Sequence, residues 1–260
     1  MNISVVINCY NSEKFIAETA TSLSSQSYTN FKVLFVDNQS KDNSFNIFKE
    51  NSNFDFKYIQ TPVFMNLYEA RNFALSFIES PLVCFLDADD YWSPNYLQTI
   101  NDFHEKNPNI ISCQSKTFAF HKENSYRELT KNLVNKNPIT PSHFANMPFT
   151  ALGGLSIKSK FFRDYLFPSS SNFIGDLDLV MNLASNNNLY FLSETSFFYR
   201  IHPGGLTSKN LDIWKFELDN WLSKNKKNIP INLFKKLSND LQYISLRTLI
   251  YKLNIFSFFF

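Results

Sequence analysis

Three aspartates within four residues are the clearest chemical signal in the sequence. Asp87, Asp89 and Asp90 directly follow residues 82–86 (LVCFL), an apolar run typical of a strand that is buried on both faces. Carboxylates this close repel one another when ionised, so a positive partner is needed to stabilise them. Their oxygens suit a hard divalent cation, Mg²⁺ or Mn²⁺. The alternative is a solvated turn with a helix cap before Pro94, and the cluster alone leaves both interpretations open.

A second acidic pair and a histidine extend the set of candidates. Asp176 and Asp178 lie at the start of a predicted helix, where residues two apart point to different faces, so only one can easily face a shared cleft. For Asp176, a structural role as the helix N-cap is the alternative. His202 is a candidate third metal ligand if it lies near the carboxylates, although a lone histidine is more often a surface or packed residue.

Composition excludes several classes of protein. The chain has 260 residues, 44% hydrophobic and 18% charged, which is typical of a globular protein, and its net charge of +2 argues against a nucleic-acid partner. It contains no GxGxxG, GxxxxGK[ST], GxSxG or HExxH motif, so a bound nucleotide would need a metal and side chains to hold its phosphates. We expect no secretory signal and no membrane span. Cys9, Cys84 and Cys113 are expected to be buried free thiols of a reducing compartment.

The elements that must position these residues alternate between strands and helices. Strands are predicted at residues 3–7, 31–36, 56–59 and 82–86, with helices between them. This order indicates an α/β fold with a doubly wound parallel sheet, in which ligands bind beyond the carboxyl ends of the strands. Because Asp37 and Asp87 each follow a predicted strand, we expect them to meet in one cleft.

The second half of the chain has a less regular pattern. Residues 121–150 are rich in Asn, Lys and Pro, and we interpret them as a long surface connection. Short strands are predicted at 155–157, 189–192 and 197–199. From about Leu211 the apolar spacing becomes helical and continues into the C-terminal segment.

Six segments, taken in order, resemble the motifs of glycosyltransferase family 2, which has the GT-A fold. They are residues 4–11 (SVVINCYN), 35–44 (FVDNQSKDNS), 70–72 (ARN), 85–90 (FLDADD), 175–179 (GDLDL) and 199–202 (YRIH). The resemblance implies a GT-A catalytic domain over residues 1–205 and a helical C-terminal extension over residues 206–260. It also implies transfer of a sugar from a nucleotide donor with inversion at the anomeric carbon.

The same resemblance implies five donor-binding residues. Tyr10 would stack on the nucleotide base, and Asn38 would contact the base edge with Asp37 beside it. Arg71 would approach the base or the diphosphate, and Asp87 would contact the ribose. Asn38 stands where many members of the family carry an aspartate.

The metal and the base are implied in the same way. Asp89 would ligate Mn²⁺ or Mg²⁺ between the two donor phosphates, and His202 would complete the metal site. Asp176, selected by the family motif over Asp178, would take the proton from the acceptor hydroxyl. General-base assistance of this kind accelerates a reaction by about 10²–10⁴-fold.

The acceptor is predicted from the C-terminal segment. Residues 224–260 carry seven basic residues against one acid and end in IFSFFF, which suits an anionic membrane surface, although packing on the catalytic core is an equally open interpretation. With the resemblance to bacterial O-antigen and capsule enzymes, this implies a cytoplasmic enzyme on the inner face of the inner membrane. It would move glucose or galactose from a UDP-sugar to a lipid-diphosphate-linked saccharide. The alternatives are a non-catalytic sugar-nucleotide-binding homologue and a membrane-surface interaction module.

Overall fold

The chain folds around one mixed sheet. The computed structural model describes residues 1–121, 125–146, 151–206 and 210–252. The strands are β1 (Ile3–Cys9), β2 (Phe31–Asp37), β3 (Phe56–Gln60), β4 (Leu82–Phe85), β5 (Tyr91–Trp92), β6 (Ser112–Phe120), β7 (Tyr126–Glu128), β8 (Leu155–Lys158) and β9 (Leu189–Arg200). The α-helices are α1 (Ile16–Ser24), α2 (Ser44–Glu50), α3 (Leu67–Leu75), α4 (Tyr96–Lys106), α5 (Gly175–Ser185), α6 (Leu211–Asn225) and α7 (Ile231–Lys252). Across the sheet the order is β3-β2-β1-β4-β8-β6-β9-β5, with β7 paired to β6.

The first half of the chain forms the parallel part of the sheet. β1 pairs in parallel with β2 and β4, and β3 extends the sheet beyond β2. Along β1, Val6 faces the layer that contains α3 and α5, whereas Val5 and Ile7 face the layer that contains α1, α2 and α4. This alternation follows from the side-chain period of two in a strand. The prediction of an α/β fold with a doubly wound, mostly parallel sheet is confirmed.

The second half adds antiparallel pairing. β8 runs antiparallel between β4 and β6, and β6 pairs in parallel with β9. The segments predicted as two strands, 189–192 and 197–199, are the two ends of the single strand β9. Its register shifts between Ser115 and Lys116 of β6, and such an irregularity interrupts the alternation by which one long strand is recognised.

The predicted surface connection at 121–150 is wrong for its central part. Leu133, Ile139 and Phe144 are buried and pack in the same apolar cluster as α5. These apolar residues stand singly among polar ones, so their spacing shows neither a helical nor a strand period. Residues 122–124 and 147–150 of this stretch lie outside the described part.

The C-terminal helices pack on the core. Leu218 and Trp221 of α6 and Leu233 and Leu237 of α7 are buried in the cluster that also contains α5. This supports the packing interpretation of the segment, whereas its membrane association stays a prediction. No helix among the described residues is long and apolar enough to cross a membrane. Residues 255–260 (IFSFFF), which end the segment predicted to suit a membrane surface, lie outside the described residues.

The three cysteines are buried, as predicted, whereas their reducing compartment stays a prediction. Cys9, Cys84 and Cys113 are all buried and free, and none forms a disulfide. Burial raises the pKa of the Cys113 thiol to about 12, so it remains protonated.

Candidate active site

A cavity of about 1060 Å³ opens beyond the carboxyl ends of the parallel strands. β1, β2 and β4 each lead into its wall, as expected for ligand sites in open α/β sheets. The helices α3 and α5, the segment after β9, and helices α6 and α7 supply the remaining wall. Seven of the eight predicted site residues line it, namely Tyr10, Asn38, Arg71, Asp87, Asp89, Asp176 and His202.

Arg71 joins two of the candidate carboxylates. It lies on α3 with only 2% of its side chain exposed, and it donates to Asp176 Oδ1 at 2.6 Å and to Asp87 Oδ1 at 2.8 Å. The guanidinium also lies 5.2 Å from the centre of the Tyr68 ring. Burial alone would lower the pKa of Arg71, but Asp176 and Asp87 raise it above its usual value. The residue is therefore a permanent cation that links the end of β4 to the start of α5.

Asp176 presents one carboxylate oxygen to structural partners. Oδ1 accepts from Arg71 and from the Tyr68 hydroxyl at 3.1 Å, and the Asp176 backbone N–H donates to the same hydroxyl oxygen at 3.0 Å. Oδ2 has no hydrogen-bond partner among the described residues, and the side chain is 20% exposed. Asp176 is not the N-cap of α5, because that position is Ile174 and no side chain caps the helix there.

Asp178 has a different environment. Its Oδ2 accepts from the Tyr165 hydroxyl at 3.0 Å, and its Oδ1 accepts from Trp221 Nε1 of α6 at 2.8 Å. It does not line the cavity. The two aspartates therefore face apart, as their spacing on a helix predicts, and Asp176 is the one at the cavity.

The predicted metal ligands are adjacent. His202 Nε2 and Asp89 Oδ2 lie 2.9 Å apart, and both side chains are partly exposed at the cavity wall. The His202 ring packs 4.5 Å from the centre of the Phe15 ring. Within the described ranges, no group of three or more His, Cys, Asp or Glu side chains could hold a metal ion. Asp89 and His202 are thus two adjacent candidate metal ligands.

Asp90 and Arg200 connect the acidic turn to the end of β9. Asp90 is buried and accepts the Arg200 backbone N–H at 2.7 Å, while Arg200 Nε donates to the Asp89 carbonyl at 2.8 Å. The Arg200 guanidinium also pairs with Glu18. Burial, with added repulsion from Asp89 and Asp87, raises the pKa of Asp90 well above its usual value. These contacts fix the segment that carries His202 beside Asp89. From the sequence, Asp90 is only a member of the acidic cluster, and Arg200 has no individual role.

Asp37 is the predicted site residue that does not line the cavity. Its carboxylate accepts from the Ser40 backbone N–H at 2.9 Å and from the Tyr58 hydroxyl at 3.0 Å. The Asn38 amide does reach the cavity, and it also bonds the backbone of Met65: Nδ2 donates to the carbonyl at 2.8 Å and Oδ1 accepts the N–H at 2.9 Å. Asn38 therefore pins the loop after β3 to the end of β2.

That loop carries an aromatic side chain that is not among the site residues predicted from the sequence. Phe64 is 59% exposed and lines the cavity, with its ring centre 4.9 Å from that of Tyr10, which is 48% exposed. A single apolar residue in a loop has no periodic signal in the sequence. The two ring planes meet at 61°, so a planar group can stack on the face of one ring and contact the other at an angle.

The fold has GT-A architecture, and the comparison with family models agrees with it. The model of glycosyl transferase family 2 matches residues 4–167, more than half of the chain. The chain therefore belongs to glycosyl transferase family 2, and its resemblance to that family is confirmed.

The sequence identity to individual relatives is low or is limited to part of the chain. Escherichia coli WfgD, named as a UDP-Glc:α-D-GlcNAc-diphosphoundecaprenol β-1,3-glucosyltransferase, is 31% identical over 96 residues, which are 37% of this chain and 38% of WfgD. The crystal structure of Staphylococcus aureus TarS 1–349 with UDP-GlcNAc has a TM-score of 0.68 at 21% identity and covers 91% of this chain and 69% of that one. The mannosyltransferase PcManGT of Pyrobaculum calidifontis with GDP-Man and Mn²⁺ has a TM-score of 0.66 at 14% identity, with coverages of 93% and 69%. The two structures show the fold alone. The chain spans about a third of the length of several curated relatives that it matches.

Proposed function

We propose that the protein is a metal-dependent, inverting glycosyltransferase that moves glucose or galactose from a UDP-sugar to a lipid-diphosphate-linked saccharide in bacterial surface polysaccharide synthesis. One observation carries the proposal: Arg71 joins Asp87 to Asp176 at the wall of a cavity that also contains the Asp89–His202 pair. A candidate donor site and a candidate base are thus held in one cavity by a single buried cation. The name of WfgD and the complex of TarS with UDP-GlcNAc support a UDP-sugar donor.

The donor side of the cavity is the wall formed after β1, β2 and β4. Tyr10 and Phe64 offer rings for the base, and Asn38, whose amide bonds the Met65 backbone, lines the same cavity. Asp87, which Arg71 holds, accepts a ribose hydroxyl in this proposal. Asp37 supports this wall by fixing the turn that begins at Asn38.

Asp89 and His202 fit a divalent cation shared with the donor. Mg²⁺ is usually bound through one or two carboxylates together with substrate phosphates, and imidazole is an ordinary ligand of transition metals such as Mn²⁺. A bound Mn²⁺ or Mg²⁺ would neutralise charge on the nucleoside diphosphate as it leaves. The Mn²⁺ in the PcManGT complex supports this choice of cation.

Asp176 acts as the base of a single displacement. Arg71 and Tyr68 hold Oδ1, which leaves Oδ2 to accept the proton of the attacking hydroxyl. The new glycosidic bond forms as the bond to the diphosphate breaks, so the anomeric centre inverts. No second carboxylate nucleophile is needed for one displacement.

An anionic membrane surface is the proposed partner of the C-terminal helices, since the acceptor is lipid-linked. Phe216 and Ile213 are exposed on α6, and Lys224 and Lys227 are exposed near its end. Aromatic and basic side chains together suit such a surface. Flotation with anionic vesicles tests this: the wild type should float, and a Lys224→Glu/Lys227→Glu variant should bind less. Equal binding of both to neutral vesicles would contradict it.

Donor hydrolysis and transfer test the catalytic proposal. Purified protein would be given UDP-glucose, UDP-galactose, UDP-GlcNAc or GDP-mannose with Mn²⁺, with and without an alkyl-diphosphate-linked α-N-acetylglucosamine. We expect β-linked product from UDP-glucose or UDP-galactose, and loss of turnover in excess chelator. Asp89→Ala should abolish metal-dependent binding of UDP in calorimetry, whereas Asp55→Ala, at an exposed site, should not. Binding of UDP without hydrolysis or transfer would identify a non-catalytic homologue instead.

A further inference from the structure

Helix α6 is fastened to the turn that precedes α5. The Glu217 carboxylate accepts the Asn172 backbone N–H at 2.8 Å and the Phe173 backbone N–H at 2.9 Å, and it also accepts the Ser171 hydroxyl. The Ser171 hydroxyl oxygen in turn accepts the Ile174 backbone N–H at 3.2 Å. One carboxylate from α6 thus organises the whole turn at residues 171–174.

A second contact lies one helical turn further along. Trp221, four residues after Glu217, donates from Nε1 to Asp178 at 2.8 Å and is itself buried. α6 is therefore attached to α5 on both sides of Asp176, once before the helix begins and once at Asp178. Asp176 cannot move along its helix axis without breaking one of these attachments.

Glu217 holds the turn that leads into α5 and not the helix's own first N–H groups, of which the Asp176 N–H donates to the Tyr68 hydroxyl. The first N–H groups of a helix have no partner within the helix, and no side chain caps α5 at its N-cap residue Ile174. The carboxylate of Glu217 satisfies donors in the turn that leads into the helix. Its charge is also favourable near a helix N-terminus, and hydrogen bonds to an ionised acceptor are short and strong.

We propose that Glu217 is a positioning residue of the transfer reaction. It sets the place of Asp176 against Arg71 by holding the turn at 171–174, so that α6 forms part of the catalytic site. The inference rests on the proposed role of Asp176 as base. Trp214 and Leu218, the neighbours of Glu217 on α6, line the cavity, so the same helix fixes both the base and part of the wall around it.

Placement of a reacting group is worth a large factor in rate. A displacement of about 1 Å at a catalytic centre can cost on the order of 10²-fold. We therefore expect Glu217→Ala to lower kcat by about tenfold or more. Donor affinity should stay within about twofold, because Glu217 touches no part of the donor wall. Glu217→Gln keeps the shape and one accepting oxygen, so its loss should be smaller.

The experiment is a double-mutant comparison in single-turnover reactions with Mn²⁺ and the active UDP-sugar. Glu217→Ala and Glu217→Gln are made in the wild type and in the Asp176→Asn background, with Asp219→Asn, exposed on the same helix, as the control. If Glu217 acts through Asp176, its replacement slows the wild type but adds nothing to Asp176→Asn. UDP binding by calorimetry and Tm are measured for each variant.

Several outcomes overturn the inference. An equal loss in both backgrounds, or a parallel loss of UDP affinity, would show a general structural role. Wild-type rates in both Glu217 variants, with Asp176→Asn inactive, would reject the positioning role while leaving the proposed function intact. Full activity of Asp176→Asn would reject the proposed base itself. If Glu217→Ala does not fold, Glu217→Gln decides the question.

Discussion

Two polar clusters of the molecule differ in whether a substrate can reach them. The first, the Arg71 cluster, consists of Arg71, Tyr68, Asp87 and Asp176, packs beside α3 and α5, and opens on the cavity. The second, the His104 cluster, lies in the opposite layer beside α4 and consists of His104, Cys113 and Ser156.

The His104 cluster has the residue types of a nucleophilic site. The Ser156 hydroxyl lies 2.9 Å from both His104 Nε2 and Cys113 Sγ. All three side chains are fully buried, and none lines the cavity. The comparison teaches that suitable side chains at hydrogen-bonding distance do not make a site unless a substrate can reach them.

The largest effect is expected from a substitution in the Arg71 cluster, at the aspartate that faces the cavity. Asp176→Asn keeps the shape of the side chain but cannot take a proton, so kcat should fall by about 10²–10⁴-fold. UDP affinity should be nearly unchanged, because the base touches only the acceptor hydroxyl. Steady-state kinetics and calorimetry measure both quantities.

Asp178→Asn is the matched control for that prediction. Asp178 is held by Tyr165 and Trp221, so its replacement should act on stability, by about 1–3 kcal/mol for the disturbed hydrogen bonds, and only weakly on kcat. An inactive Asp178→Asn together with an active Asp176→Asn would assign the base to Asp178.

The next prediction concerns the His104 cluster and the stability of the protein in acid. Burial lowers the pKa of His104 from about 6.5 to about 4. The unfolded chain then binds a proton that the folded chain does not between those two values, so stability falls as pH falls from about 6.5 to 4. A shift of this size corresponds to about 3 kcal/mol, fully lost below pH 4.

Urea unfolding at pH 7 and pH 4.5 measures this effect. The loss of stability on acidification should be smaller in His104→Gln than in the wild type, whereas His121→Gln, at an exposed position, should match the wild type. Equal acid sensitivity of all three proteins would show that His104 does not titrate as its burial requires.

Sequence reasoning brings seven of its eight candidate residues to one cavity, and the exception, Asp37, belongs to the donor side. Asp87 and Asp89 follow a buried strand, and the fold brings the ends of such strands to one cavity. Asp37 also follows a strand, but the local turn directs its carboxylate back to Ser40. The spacing of Asp176 and Asp178 does not by itself decide which of them faces the cavity.

The missing information is carried by contacts remote in the sequence. Arg71 is 105 residues from Asp176, and Trp221 is 43 residues from Asp178. Glu217 binds the turn at 171–174 from 44 to 46 residues away. Arg71 is marked by the ARN motif, but no local pattern marks Trp221 or Glu217, because each is a single residue on an otherwise ordinary helix.

A smaller effect tests whether the proposed donor site extends from the Arg71 cluster to the Tyr10 and Phe64 rings. Stacking of a base on an aromatic side chain contributes about 1–3 kcal/mol by alanine substitution. Tyr10→Ala and Phe64→Ala should each weaken UDP binding within that range, with kcat at saturating donor little changed. Val63→Ala is the control, since Val63 is exposed in the same loop but does not line the cavity. Unchanged UDP affinity in Phe64→Ala would leave Tyr10 as the base-stacking residue of this pair.

The smallest expected effect again concerns the His104 cluster. Cys113→Ala removes one buried sulfur and leaves a small void beside Ser156, so the free energy of unfolding should fall by about 1 kcal/mol. Since the cluster has no access to the cavity, kcat and UDP affinity should equal those of the wild type. Urea unfolding and the transfer assay measure the two quantities on the same preparations. A tenfold loss of kcat at nearly unchanged stability would mean that the His104 cluster is coupled to the site across the sheet, and the distinction between open and closed clusters would fail.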